Sequence, residues 1–392
     1  QSCGSFCCVR NRLVANTTNP DSGLTDPTDA ESLTRARIEG IHALNMPVVN
    51  AMNRLTYVAP LIGLRQGRRI ETDYTLTLDD LVERRRFQDV VGYTGSHYDN
   101  HASDYEFESD DAFFYVSCAG LWSARTACEI PYRILLPKGL ENVWLACRAA
   151  GASEEACHSF RQQRDIQRIG EVCGLAAALA VKGRAASRAV SYDVLRKSLE
   201  KSGALPLGEP EGMDFGQAIS PRDFTAPDSS VPVKARIAQD MRALQTPGFG
   251  LALWRLYKTG QKAGGPGLQP WLVSRDARRS WQAAALFAMW SDDAAEPRLL
   301  RAIASHEIGA EHDPSIFDPR KGSKRILPRW WAAVTLLRRC GTLKALPTLE
   351  KLAATADLPA HLRHAVGLTL TRILDARRPN APTRRRIIRL LE

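Results

Sequence analysis

Several features are missing from this 392-residue sequence, and each absence removes a class of protein. No apolar run approaches the ~18 residues that span a bilayer, so no membrane-spanning helix is expected. The opening residues are not a charged start followed by an apolar stretch, so they do not read as a signal peptide. The nine cysteines include no Cys-x-x-Cys pair, and their odd number in a large chain excludes a small disulfide scaffold. Cys3, Cys7 and Cys8 lack a second Cys or His pair at zinc-like spacing, so no metal site is expected. Free thiols favour a reducing, cytoplasmic setting. No Ser/His/Asp order and no phosphate-cradling Lys loop appear, which leaves no basis for a hydrolase or a kinase.

What is present is enough for a folded core: 44% of residues are hydrophobic and 24% charged. At roughly 150 residues per domain, about two domains are expected. The net charge of +10 is uneven. Val231 to Glu392 carries 28 Lys+Arg against 13 Asp+Glu, a net +15, so the first 230 residues carry a net −5. A basic half joined to an acidic half suggests two units with different tasks. The basic half reads either as a solvated Arg-rich helical surface or as a surface suited to an acidic protein partner; nucleic acid is not the expected ligand.

The first 202 residues mix strand and helix signals. Arg12 to Asn16 reads as a strand, and Asp29 as the cap of a helix from about Ala30 to Asn53 with a break at Pro47. Gly63 to Leu76 reads as extended, and Thr77 opens a capping pattern for a short helix through Arg85. Residues 97–111 are polar and read as a loop. Phe113 to Cys118, Ala127 to Leu136 and Asn142 to Cys147 read as strands, the last of the buried parallel type. Helices follow at about 164–182 and 191–201. Residues 203–230, rich in Pro, Gly, Asp and Ser, read as a linker.

Beyond residue 231 only helical segments recur, at about 235–245, 248–259, 275–290, 294–306, 327–340, 344–356, 360–375 and 381–391. Their pairing at a period of ~40 suggests a HEAT-like solenoid, with a plain bundle as the alternative. Gly260 to Gly267 is glycine-rich, but it lies among these helices and is not taken as a phosphate-binding turn.

One stretch carries chemistry. Asn142-Val-Trp-Leu-Ala-Cys-Arg-Ala-Ala-Gly-Ala-Ser leads to Ser159-Phe-Arg161 and then to Gly170-Glu-Val-Cys-Gly-Leu-Ala-Ala-Ala-Leu. Gly and Ala let backbone approach a planar or phosphorylated ligand, although small residues in a helix also serve tight packing. Upstream stand Gly63-Leu-Arg-Gln-Gly-Arg-Arg-Ile, Asp99-Asn-His101 and Ile130-Pro-Tyr-Arg133. In this order and spacing, over about residues 10–202, these motifs resemble the FAD-dependent oxidoreductases of the FAD-oxidored type.

The resemblance implies a partial doubly wound α/β FAD-binding domain over residues 1–202, a linker at 203–230 and an all-α, HEAT-like domain over 231–392. It implies FAD as cofactor and hydride transfer from a small-molecule substrate. It places Arg148, Ser153, Arg161, Gly170 and Gly174 at the cofactor, Arg65 and Arg69 at the substrate side, and Asp99 and His101 as catalytic residues. Bland readings stay open beside these: surface salt bridging for the arginines and an exposed polar loop for Asp99 and His101. The chain departs from the family at Cys147 and Cys173, where Gly and Ala are usual, and in the polar residues Gln162, Gln163, Arg164, Asp165, Gln167 and Arg168. It also lacks the N-terminal Gly-x-Gly-x-x-Gly turn that holds the pyrophosphate. Since it begins with Gln1, an N-terminally truncated chain is expected, with a half supplied by another chain or a lost cofactor as alternatives. The rival reading is a non-catalytic helical-repeat binding protein with a degenerate flavin domain.

Overall fold

The computed structural model describes residues 3–9, 12–19, 28–43, 68–94, 98, 109–122, 128–205, 231–309, 327–355, 358 and 360–391. The chain forms two compact units. The first holds Gln1–Leu81, Arg85–Ser103 and Thr126–Met213; the second holds Val82–Arg84, Asp104–Arg125 and Asp214–Glu392. Domain limits at 202 and 231 do not anticipate that 104–125 joins the second unit.

In the first unit β1 (Cys3–Val9) and β2 (Arg12–Asn19) form an antiparallel hairpin with Val9 opposite Arg12. Helix α1 (Ala30–Ala43) begins at Asp29, whose Oδ2 accepts from the Ser32 N–H at 2.7 Å. Residues 44–53 of the expected helix lie outside the described residues. Helix α2 (Leu78–Val82) carries the reciprocal cap that Thr77 announces. The Asp80 N–H donates to Thr77 Oγ1 at 3.3 Å and the Thr77 N–H to Asp80 Oδ2 at 2.9 Å. The helix stops short of Arg85 because Arg84 adopts a left-handed conformation at φ 48°.

Strand β3 (Val90–Thr94) pairs antiparallel with β4 (Cys128–Pro131), with Tyr93 opposite Glu129. Between them in sequence lies α3 (Asp110–Phe113), which belongs to the second unit. Helices α4 (Glu154–Phe160), α5 (Gln163–Gly183) and α6 (Tyr192–Ser202) complete the first unit. Among the described residues both sheets are antiparallel pairs, and the parallel pairing is the isolated bridge Leu76–Ala152.

Three strand expectations are corrected. Phe113 to Cys118 is helical, with α3 continuing into a π-turn over Phe114–Cys118. Ser109 caps it by accepting from the Ala112 N–H at 2.9 Å, and Asp110 and Asp111 fill the first turn. An apolar run buried on every side has no readable period, so only the cap distinguishes helix from strand. The strand expected over Ala127 to Leu136 ends at Pro131 and gives way to a 3-10 turn, Tyr132–Leu135. Asn142 to Cys147 is not a strand. Asn142 is left-handed at φ 59°, only Leu145 is buried, and Trp144 turns aside to donate Nε1–H to the Tyr132 hydroxyl at 2.5 Å.

In the second unit α7 (Val233–Ala243), α8 (Phe249–Thr259) and α9 (Gln261–Leu268) lead to α10 (Ala277–Met289) and α11 (Glu296–Ala304). Then come α12 (Arg329–Cys340), α13 (Leu346–Ala353), α14 (Ala360–Arg377) and α15 (Ala381–Leu391). Helix α9 takes up the glycine-rich stretch and has no counterpart in the sequence reading. Trp254 of α8 is fully buried against Phe114 and Tyr115, at ring separations of 6.3 and 5.6 Å. This packing needs Gly250, because a Cβ there would lie 2.2 Å from the Ala119 carbonyl oxygen.

Two helical hairpins repeat in register. In the first, α10 is followed by a 3-10 turn (Asp293–Ala295) and α11; in the second, α12 is followed by a 3-10 turn (Leu343–Ala345) and α13. Asp292 and Thr342 cap the turns, Pro297 and Pro347 open the second helices, and Leu299 and Leu349 are fully buried. Each pair is offset by 50 positions, longer than the expected ~40.

Candidate functional site

The site-bearing part of the first unit is built on backbone crossing backbone. Residues 68–76 lie along the 134–152 segment. The Ile70 N–H donates to Ala149 O at 3.0 Å, Leu76 N–H to Gly151 O at 2.9 Å and Ser153 N–H to Leu76 O at 2.8 Å. Gly151 is obligatory here: a Cβ would fall 1.7 Å from Thr72 Oγ1 and 2.7 Å from Tyr74 O. The crossing delivers the chain into α4 at Ser153, whose hydroxyl accepts from the Ala156 N–H at 3.2 Å. Ser153 is thus a helix cap.

Helix α4 gathers three of the expected arginines. Arg69 pairs with Glu154 at 3.4 Å. Arg161 follows the helix, donates its backbone N–H to Cys157 O at 3.1 Å and is buried. Arg148 is exposed on the preceding loop. Burial pushes the Cys157 thiol upward, and Arg161, Arg69 and Arg148 all lie near enough to oppose that shift. Three arginines and the Glu154 carboxylate therefore act in opposite senses on a buried thiol. The next residue, His158, is buried and packs on the Tyr98 ring at 4.8 Å between centroids. Thr94 Oγ1 ties the end of β3 to α4 by donating to Ser159 O at 2.6 Å. Arg65, Asp99 and His101 lie outside the described residues.

Helix α5 starts after Gln162 and runs for 21 residues. Its buried stripe is Asp165, Ile169, Val172, Cys173, Ala176 and Ala180. Its opposite face carries Gly174, which is exposed, and the half-exposed Gly170 one turn before it. No heavy atom beyond the helix's own backbone lies within 4 Å of where a Cβ would stand at either glycine. The two positions form a bare strip open to a ligand, which fits the approach of a flat ring to helix backbone. The strip and the α4 arginines are linked along the chain through Arg161 and Gln162.

Two residues escaped the sequence reading. Asp165, counted there with its polar neighbours, is buried; burial raises its carboxyl to about 6, against the opposing pull of Arg164 at 3.5 Å. Its Oδ2 has no hydrogen-bond partner among the described residues. Its place four residues before Ile169, on the apolar stripe, is the signal that would have found it. Cys157 is the other, marked only by the arginines folded around it. Cys173 is buried and pushed up to about 12, chiefly by burial and further by Cys147, while Cys147 itself is exposed. Among the described residues no group of three or more His, Cys, Asp or Glu could hold a metal ion, and no helix is long and apolar enough to cross a membrane.

Residues 8–199 match the family model described as FAD dependent oxidoreductase. Neither a curated protein nor a solved structure matches the chain.

Proposed function

Since residues 8–199 match the family model described as FAD dependent oxidoreductase, we propose that this chain is a flavin oxidoreductase that uses FAD and acts on a small-molecule substrate. FAD, when bound, supplies the acceptor for a hydride. The residues of the chain bind, orient and protonate. Gly170 and Gly174 give the cofactor a bare helix surface, and the N-terminal end of α5 offers a positive dipole to negative charge developing nearby. Arg148, Arg161 and the cap Ser153 hold the cofactor side; Arg65 and Arg69 hold an anionic substrate; Asp99 and His101 move protons. The basic helical part, residues 231–392, is read as a HEAT-like repeat with an acidic protein partner.

The observation that carries this reading is the open strip at Gly170 and Gly174. Gly174→Val is expected to cut bound flavin several-fold while leaving the fold intact, since the new side chain points into open space. Flavin absorbance and circular dichroism of the purified protein check it; unchanged flavin content sinks the assignment of that strip.

A second reading is supported by the two hairpins in register, which suit a helical-repeat binding protein with a degenerate flavin domain. A colourless wild-type protein that gains no flavin spectrum on adding FAD favours that reading.

A further inference from the structure

A cleft of about 420 Å3 opens in the second unit, formed by α3, the turn after α10, the end of α12 and the second half of α14. Its walls are charged. Asp110 faces two guanidinium groups at once: Arg338 Nη2 donates to Oδ1 at 3.2 Å, and Arg339 Nη1 donates to Oδ2. The neighbouring Asp111 is already engaged by the Tyr257 hydroxyl at 2.9 Å and Lys258 Nζ at 2.6 Å. One carboxylate therefore serves two arginines, and a positive charge is left over.

Two further observations point to what that charge awaits. The Arg339 Nε–H is buried and meets no acceptor among the described residues. A buried donor without an acceptor calls for a water or an anion. Arg372 of α14 also lines the cleft and forms no hydrogen bond or ion pair with a described residue. Asp375 stands one turn further along the same helix and likewise has no partner among the described residues. Three arginines against two aspartates leave the cleft at +1.

We propose that this cleft is a binding site for a small ligand bearing a single oxyanion group, a carboxylate or a phosphate ester. The oxyanion meets Arg372 beside the Arg338 and Arg339 forks, which Asp110 holds in place. Arginine suits this task because its planar donors match both kinds of oxyanion. Asp375 sets the charge limit: it repels ligands with several negative charges. A volume of about 420 Å3 is in the range of small-molecule sites. The site lies wholly in the second unit and does not depend on the flavin assignment.

Calorimetric titration of the full chain at fixed ionic strength tests the proposal, with acetate, inorganic phosphate and tripolyphosphate as probes and chloride as the reference. Saturable one-to-one binding of acetate or phosphate is expected, and the tighter of the two identifies the ligand class. Tripolyphosphate should bind no more tightly than the better of these. Arg372→Gln should weaken binding about tenfold, the loss of one charge-assisted contact. Asp375→Asn should tighten phosphate more than acetate, and this gain cannot arise from a misfolded variant. Arg385→Gln, on α15 and outside the lining, should change nothing. Binding indistinguishable from chloride, or an equal loss in Arg385→Gln and Arg372→Gln, overturns the proposal. So does an Asp375→Asn variant that binds no better than wild type.

Discussion

The two units treat a carboxylate in opposite ways, a buried one in the first and a half-buried one in the second. In the first, Asp165 has one partly solvated partner, Arg164, and burial wins: the carboxyl rises to about 6. In the second, Glu307 is gripped by two buried arginines, and the partners win. Arg298 reaches it at 2.7 Å and Arg329 at 2.6 Å, and the Glu307 carboxyl is lowered despite the opposing effect of burial. Both guanidiniums also face the Trp281 ring, at 5.8 and 5.5 Å. Depth and partners act together: the deeper carboxylate beside exposed arginines rises, and the half-buried one held by two buried arginines falls. Glu307 is a structural clasp, whereas Asp165 carries a cost to folding.

Glu307→Ala should break this contrast most severely. It strands two buried arginines and should cost about 3–5 kcal/mol of stability, read by chemical denaturation. Asp165→Asn should act in the other direction. A raised folded-state value means that Asp165 imposes no penalty below its ordinary value of 3.8 and the full penalty above about 6. Wild-type stability should therefore carry a component that falls as pH rises between those values. The variant should remove it, gaining about 3 kcal/mol at pH 8. Glu307 contributes the opposite slope, with stability present above its ordinary 4.5 and lost as pH falls through its lower folded value. Gly151→Ala forces apart the crossing of 68–76 with 134–152 and should cost about 2 kcal/mol, seen as a lower Tm with the second unit's helices unaffected. Ser153→Ala should be mildest, about 1 kcal/mol from a lost cap. A larger loss of flavin than of stability in Ser153→Ala would add a ligand contact to the capping role.

Helices were legible where a cap and a period coincide. Thr77 with Asp80 marks α2, and the apolar positions Ile169, Val172, Ala176 and Ala180 mark α5. The second unit followed from the same signals, except α9, whose Pro266 and glycines argue against helix in isolation. The strand reading of Phe113 to Cys118 failed because Ser109 and the two aspartates lie just outside the apolar run that drew attention. Asn142 to Cys147 looked like a buried strand because hydrophobicity alone cannot reveal the left-handed Asn142 or the Trp144–Tyr132 hydrogen bond. At the candidate site, the motif pointed to Arg148, Arg161, Gly170 and Gly174 as a set. It could not show that Arg69 meets Glu154, 85 residues away, or that Gly151 must pass Thr72 without a side chain. Contacts of that range follow from the fold and leave no local mark.

The burial of Trp254 beneath Phe114 and Tyr115 has a consequence for inheritance. A gene split within 206–230 would not yield two independent proteins. One product would carry the Phe114 and Tyr115 rings as an uncovered apolar surface, and the other would expose the Trp254 ring of its core. Phe114 and Tyr115 lie inside the stretch that matches the oxidoreductase family. The helical tail thus shares its core with a segment taken from within the matched stretch, and the two could not be exchanged separately for foreign modules.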